Sequence, residues 1–303
     1  MYGSKSFYLY SPAAHLLVTD EDAADFLQSQ FTNDLRPFDT GQCCYGLWLD
    51  VKGKVIADGV VLCEGPERFR VLSERCEGAD ISAHLERHII ADEVELEPCV
   101  NTVGLELSVD GLDVLGMPIP ESGRFISLSQ GVLYGLPGGR YHIVVPAEDT
   151  RKLLTQSLLE AGFSAISEDA RGIARIRAGV PQVPQEIGAS DLPGEGNLTG
   201  HAVSFTKGCY LGQEVVARMH NLGQPQRALF VVQGTGVRPS LPVALYNSEF
   251  KRVGELRSAF REAGGWCGVA ILKIRFVGVG EILTLGSNSV SVVSLLAEGG
   301  END

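Results

Sequence analysis

An α+β fold followed by a small C-terminal β-barrel is the architecture this sequence predicts, and three observations carry it. Helical and β-type hydrophobic periods alternate through the first two thirds of the 303 residues. Turn residues punctuate them often, with 36 glycines in the chain. From about residue 225 onward only short β candidates remain, at regular spacing.

Thr19, with Asp20, Glu21 and Asp22 after it, reads as a helix start: a capping hydroxyl and then acids in the first turn. Ala23, Phe26, Leu27 and Phe31 keep the helical period until the turn Thr32-Asn33-Asp34. A meander follows: Tyr45–Leu49, a turn at Asp50–Gly53, Val55–Cys63, a turn at Glu64-Gly65-Pro66, and Phe69–Leu72. Residues 78–90 return to a helical pattern on Ile81, Leu85 and Ile89. Its His84/His88 pair has no third ligand at a useful spacing, so it reads as a helical face and no metal site is expected.

Short strands are expected at Leu105–Val109, Phe125–Leu128, Val132–Tyr134 and Tyr141–Val145. An amphipathic helix over Glu148–Ala161 is closed by Gly162, and Ser167-Glu168-Asp169 opens another that Gly179-Val180-Pro181 stops. Residues 181–206 read as a long ordered loop. Past it, Leu229–Gln233, Val243–Tyr246, Arg252–Leu256, Val269–Lys273 and Ile282–Leu285 are the barrel strands. Two domains are therefore expected, 1–224 and 225–303.

Composition narrows the function. A hydrophobic content of 44% and a charged content of 21% describe an ordinary globular protein. A net charge of −13 argues against a broad nucleic-acid-binding face, which needs phosphate-neutralising Lys and Arg. Seven cysteines, an odd number with no CxxC spacing, read as reduced thiols. The opening residues lack the basic stretch and apolar block of a secretion signal, and the apolar runs are too short for a membrane span, so a cytoplasmic protein is expected.

One run carries more chemistry than any other: Lys207-Gly208-Cys209-Tyr210-Leu211-Gly212-Gln213-Glu214. The helix-forming stretch Gln213–Met219 comes directly after Cys209, so the thiol is expected just ahead of a helix start and near the Lys207 cation. Both favour the thiolate. Cys209 is the expected nucleophile, with Lys207 as its activating charge. A buried thiol acting as a small hydrophobe is the competing reading.

This run, together with Arg175-Ile176-Arg177-Ala178-Gly179-Val180-Pro181 and Leu192-Pro193-Gly194-Glu195, resembles the YgfZ family. Its members are folate-binding proteins linked to assembly or maintenance of iron–sulfur clusters, similar in fold to the T-protein (aminomethyltransferase) of glycine cleavage. Phe26–Asp34, Lys52–Asp58 and Arg252–Ser258 carry the likeness along nearly the whole chain. The resemblance implies a T-protein-like core of antiparallel sheets with helices around a channel for tetrahydrofolate or a one-carbon derivative. Iron–sulfur client or assembly proteins are the implied partners. It further implies that Asn33, Asp34, Arg177, Tyr210, Gln213 and Glu214 face or shape the folate site. Two positions depart from the pattern. Ala57-Asp58 stands where the T-protein has paired aspartates, and Arg177 stands where relatives commonly carry an acid. A folate-dependent one-carbon transferase and a non-catalytic folate-sensing adaptor are the alternatives to thiol-based cluster maintenance.

Overall fold

The computed structural model describes residues 5–136, 139–146, 148–223, 225–286 and 288–296. The expected boundary residue Gln224, residues 1–4 and the expected last residues 297–303 lie outside the described residues.

Among the described residues the strands form two sheets and a closed barrel. The five-stranded sheet runs in the order Cys43–Leu49, Val55–Gly65, Arg68–Ser73, Ala14–Thr19, Glu95–Pro98. The six-stranded sheet runs Ser164–Ala165, Ser6–Tyr10, Val103–Leu107, Arg140–Val145, Gly131–Leu136, Phe125–Leu128. The barrel closes through Arg227–Thr235, Gly265–Lys273, Arg252–Glu262, Val243–Tyr246, Ile282–Leu285 and Asn288–Leu295. The expected α+β fold with a C-terminal barrel is thus observed.

Period-two alternation gives each sheet two different faces. On the six-stranded sheet, Leu133, Ile143 and Val145 pack outward with Leu158 of the helix Glu148–Glu160. Val132, Tyr134 and Val144 point the other way and meet Cys43, Val60, Leu62 and Leu72 of the five-stranded sheet. The far face of that second sheet buries Trp48, Val55, Ala57 and Val71 with Phe26 and Leu27 of the helix Ala23–Gln30 and Ile81 and Leu85 of the helix Gly78–Glu86. The two sheets therefore face each other, and the alternation that buries Val60 and Val144 also turns Asp58 and His142 into the space between them.

Several elements differ from expectation. Thr19 ends the strand Ala14–Thr19, and the helix cap is Asp22. Position 109 opens a short helix, Val109–Val114, because the paired stretch stops at Leu107. The segment 181–206 contains the 3-10 turn Pro193–Gly196 and the helix Thr199–Ala202. Ser167 caps as expected, its Oγ accepting from the Ala170 N–H at 3.2 Å.

The barrel docks on the helix Glu168–Arg177. A Cβ on Gly172 would stand 2.3 Å from the Phe260 ring, so only glycine permits the approach. Asp191 pairs with Arg227 at 3.1 Å and with Arg257, and Glu186 accepts from Ser258. Glu195 pairs with Arg227 at 2.8 Å. The turns of 181–206 are thereby fastened to barrel strands by buried charge pairs.

Candidate functional site

The structure brings the turn after the first helix against the signature loop. The helix Ala23–Gln30 ends at extended Phe31, which leaves carbonyls without helical partners. The Lys207 ammonium collects three of them, donating to Gln28 O, Phe31 O and Asn33 O at 2.7 Å each. Two more backbone bonds complete the join, Ser204 N–H to Thr32 O and Leu211 N–H to Ser29 O, each 3.0 Å. A cation at the negative end of a helix is electrostatically favoured. Burial nonetheless pulls the ammonium down to about 8.

That geometry gives Lys207 a bracing role that the sequence did not foretell. Its three N–H donors are spent on carbonyls and it is buried, whereas Cys209 is exposed. The groups it feels electrostatically are Asp34, Cys44 and Arg36. Lys207 is a clasp for the loop.

The other expected residues divide similarly. Asn33 donates through Nδ2 to Tyr45 O at 2.9 Å and His201 O at 3.0 Å, while its Oδ1 accepts from Asp34 N–H. Asp34 accepts from Gln28 Nε2 at 2.8 Å and from the Arg36 N–H at 3.1 Å. Both residues brace the turn. Tyr210 is buried beneath the Lys207 ammonium, which lies 5.4 Å from its ring centroid, and among the described residues its hydroxyl has no partner. Gln213 reaches back to Gly208 O at 3.5 Å, and Glu214 is exposed in the first turn of the helix Gln213–Leu222. Gly212 precedes that helix at φ +81°, and a Cβ there would stand 2.6 Å from Asp50 O in the hairpin turn. The thiol thus projects from a loop that is fastened at both ends.

Arg177 departs furthest from expectation. It is largely exposed and pairs with Glu262 of the barrel at 2.6 Å. Arg171 and Arg175, one helical turn apart on the buried face, line the central cavity in its place. Arg175 pairs with Glu186 at 2.5 Å, and Glu186 also accepts from the Gln182 N–H at 2.8 Å. Glu186 and Glu195 are therefore both committed to arginines.

The central cavity lies between the sheets and has a volume of about 100 Å³. On the five-stranded side, Asp58 accepts from Tyr45 OH at 2.9 Å and Cys76 Sγ at 3.3 Å, and lies 3.4 Å from Ser73 Oγ. Burial pushes its carboxyl up to about 6, against the downward pull of those hydrogen bonds. The Tyr45 ring stacks with His201 at 5.7 Å, and the carbonyls of these same two residues hold Asn33. The signature loop is thus connected to the cavity wall through Lys207 and Asn33.

On the six-stranded side, His142 stacks flat on Tyr134, with centroids 5.2 Å apart and planes 9° apart. Arg140 donates through Nη1 to Glu106 at 3.0 Å, and Arg171 joins Glu106 to Glu74. Burial raises Glu106, but Arg140, His142 and Arg171 hold it down at about 2. Among the described residues neither Arg140 Nε nor His142 Nε2 has a hydrogen-bond partner. Sequence reasoning did not single out Tyr45, His142, Arg140 or His201. The visible signal was Arg140 and His142 at i,i+2 in an otherwise apolar strand. A larger cavity of about 520 Å³ lies between the helix Gln213–Leu222 and the barrel. Its lining is mostly apolar and its acid, Glu195, is already paired with Arg227, whereas the central cavity gathers several titratable side chains.

Residues 10–111 match the family model described as the GCVT N-terminal domain. The fold is similar to that of a glycine cleavage system aminomethyltransferase T from Bartonella henselae, with a TM-score of 0.79 over 97% of this chain and 88% of that one, at 18% identity. The chain thus has an aminomethyltransferase-like fold. Curated relatives refine that class. A protein named tRNA-modifying protein YgfZ from Cronobacter sakazakii is 26% identical over 236 residues, covering 74% of this chain and 70% of the relative. Another of that name from Yersinia pestis is 25% identical over 267 residues, covering 82% and 78%. The chain is thus similar in sequence to these YgfZ-named proteins and in fold to an aminomethyltransferase.

Proposed function

We propose that this protein binds a reduced folate in its central cavity and uses the exposed thiol of Cys209 to support assembly or repair of iron–sulfur clusters in client enzymes. One observation carries the reading. The Lys207 clasp ties the thiol-bearing loop to the turn whose Asn33 braces Tyr45 and His201 at the cavity wall. Occupancy of the cavity and presentation of the thiol then share one rigid unit.

The residues present suit a pterin-like ring. The cavity offers stacked aromatic faces, an acid at Asp58 and two buried nitrogens without partners. About 100 Å³ is below the usual 300–1,000 Å³ of a whole-ligand pocket, so the ring end is the part it takes, with the tail leading outward. Bound folate would supply a one-carbon unit carried on N5, N10 or both. Asn33, Asp34, Tyr210, Gln213 and Glu214 act in this reading by holding the turn and loop. Residues 1–224 form the folate-binding unit and 225–303 the barrel that backs it, in a cytoplasmic protein. The relatives' name directs the search for clients to tRNA modification. With a net charge of −13, the protein is proposed to serve that process through a client enzyme instead of gripping tRNA itself.

The test is complementation of a null strain by wild type and Cys209→Ala, scored by iron–sulfur enzyme activity under oxidative stress and by tRNA modification, with folate binding measured in parallel. An alanine variant that folds, binds folate and fails to rescue makes the thiol the functional centre. Full rescue by it removes the thiol from the function and promotes the folate-sensing adaptor. No rescue by wild type removes the cluster role. A folate-dependent one-carbon transferase is the second reading, favoured by the buried, hydrogen-bonded Asp58 in the cavity. It requires turnover with methylene-tetrahydrofolate that Asp58→Asn abolishes.

A further inference from the structure

We propose that Arg140 and His142 form a donor subsite on the six-stranded wall of the central cavity, built to take the neutral oxo edge of a flat heterocycle. The inference rests on the folate reading and says which wall receives the ring's carbonyl.

Arg140 and His142 sit at i,i+2 on the strand Arg140–Val145, so both project toward the facing sheet, and both line the cavity. His142 is only 2% exposed, yet among the described residues its Nε2 meets no partner, and neither does Arg140 Nε. Native structures pair nearly all such groups, because an unpaired buried donor has given up its water for nothing. Two orphaned nitrogens on one cavity wall point to an acceptor that belongs between the sheets. The His142 ring is already fixed for this role. In the tautomer where Tyr10 OH donates to Nδ1 across 2.9 Å, Nε2 carries the ring proton, and the Tyr134 ring stacked against the imidazole leaves that N–H as the open position.

Charge selects the kind of acceptor. Around this wall Arg75, Arg140 and Arg171 are matched by Glu74, Glu106 and Glu168. A ligand carboxylate would add an unmatched buried charge, whereas a carbonyl oxygen adds none. The opposite wall supplies the complement, because Asp58 and Tyr45 can meet ring N–H groups. A lactam-bearing ring such as a pterin has both edges, and the Tyr134–His142 stack gives it a flat surface. This arrangement takes the place of the contact expected from position 177, where Arg177 turns to the barrel.

The test uses the full-length protein and titrates tetrahydrofolate, pterin and 2,4-diaminopteridine, in which an amino donor replaces the oxo acceptor. Wild type is expected to favour the oxo ring by about tenfold, the worth of one well-made hydrogen bond. Arg140→Lys keeps a cation facing Glu106 but lacks the Nε–H, and His142→Phe keeps the stacked ring but lacks Nε2. Each should erase the preference, whereas Cys209→Ala should retain it. Pterin should also shift the ¹⁵N resonance of His142 Nε2, a readout that survives if either variant folds poorly. If tetrahydrofolate binds but wild type treats both rings alike, or the folded variants keep the preference with no ¹⁵N shift, the subsite is wrong and the folate reading stands. If neither tetrahydrofolate nor any probe binds wild type, both fall together.

Discussion

Lys207 Nζ donates to the carbonyl of Asn33 at 2.7 Å, across 174 residues of sequence, and so joins the thiol-bearing loop to the turn behind the cavity wall. The same ammonium satisfies Gln28 O and Phe31 O, which makes one side chain the closure of a helix end.

Lys207→Met therefore removes the partner of three carbonyls in a site that little water reaches. A loss of about 3 kcal/mol is expected. Thermal and urea unfolding would measure it, and hydrogen exchange should rise in residues 28–34 and 204–212 together. Faster exchange in the loop alone would contradict the clasp.

Gly212 supplies a left-handed residue where the loop turns into the helix against Asp50 O. Gly212→Ala is expected to cost about 1–3 kcal/mol through strain at positive φ and the close approach. Gly208→Ala, where a Cβ meets open space, should change stability by under about 0.5 kcal/mol. Equal melting temperatures for the two variants would argue against this packing.

Asp58 titrates at about 6 in the folded protein, above the ordinary carboxylate value of 3.8. Between these values the folded state holds more protons than the unfolded one. Its contribution to stability is thus fully present below about pH 4 and is lost as pH rises through about 6, by up to roughly 3 kcal/mol. Asp58→Asn, which cannot ionise, should gain on wild type as pH is raised from 4 to 8. A stability difference that stays flat across that range would rule out the raised carboxyl.

Arg175 and Arg177 differ in fate although two residues apart. Arg175→Met leaves Glu186 buried without its cation and should cost about 3–5 kcal/mol. Arg177→Met removes an exposed pair and should stay within about 0.5 kcal/mol, with folate affinity unchanged. A large loss of folate affinity in Arg177→Met would restore that residue to the site.

Local chemistry was legible in the sequence wherever neighbours along the chain decide the structure. The cap at Ser167, the meander from residue 43, the amphipathic helix Glu148–Glu160 and the succession of barrel strands all follow from period and turn residues. The strand Asn288–Leu295 that completes the barrel was not foreseen, and Thr19 proved to end a strand. At Thr19 pairing with distant Arg68 and Glu95 outweighed the local capping pattern, whereas the Ser/Val alternation of 288–295 was itself a strand signal.

The run Lys207–Glu214 likewise announced itself from residue types alone, and its spacing identified the family it resembles. Tertiary structure decided what each member does. Whether Lys207 serves a thiol or three carbonyls depends on where a helix nearly 180 residues earlier ends. Whether an arginine meets the cavity or the barrel depends on which face of the helix Glu168–Arg177 the barrel covers. The cavity itself has no contiguous sequence signature, because Asp58 and His142 meet only when two sheets pack face to face. Periodicity determines which side of its own strand a residue occupies; only packing determines what stands opposite.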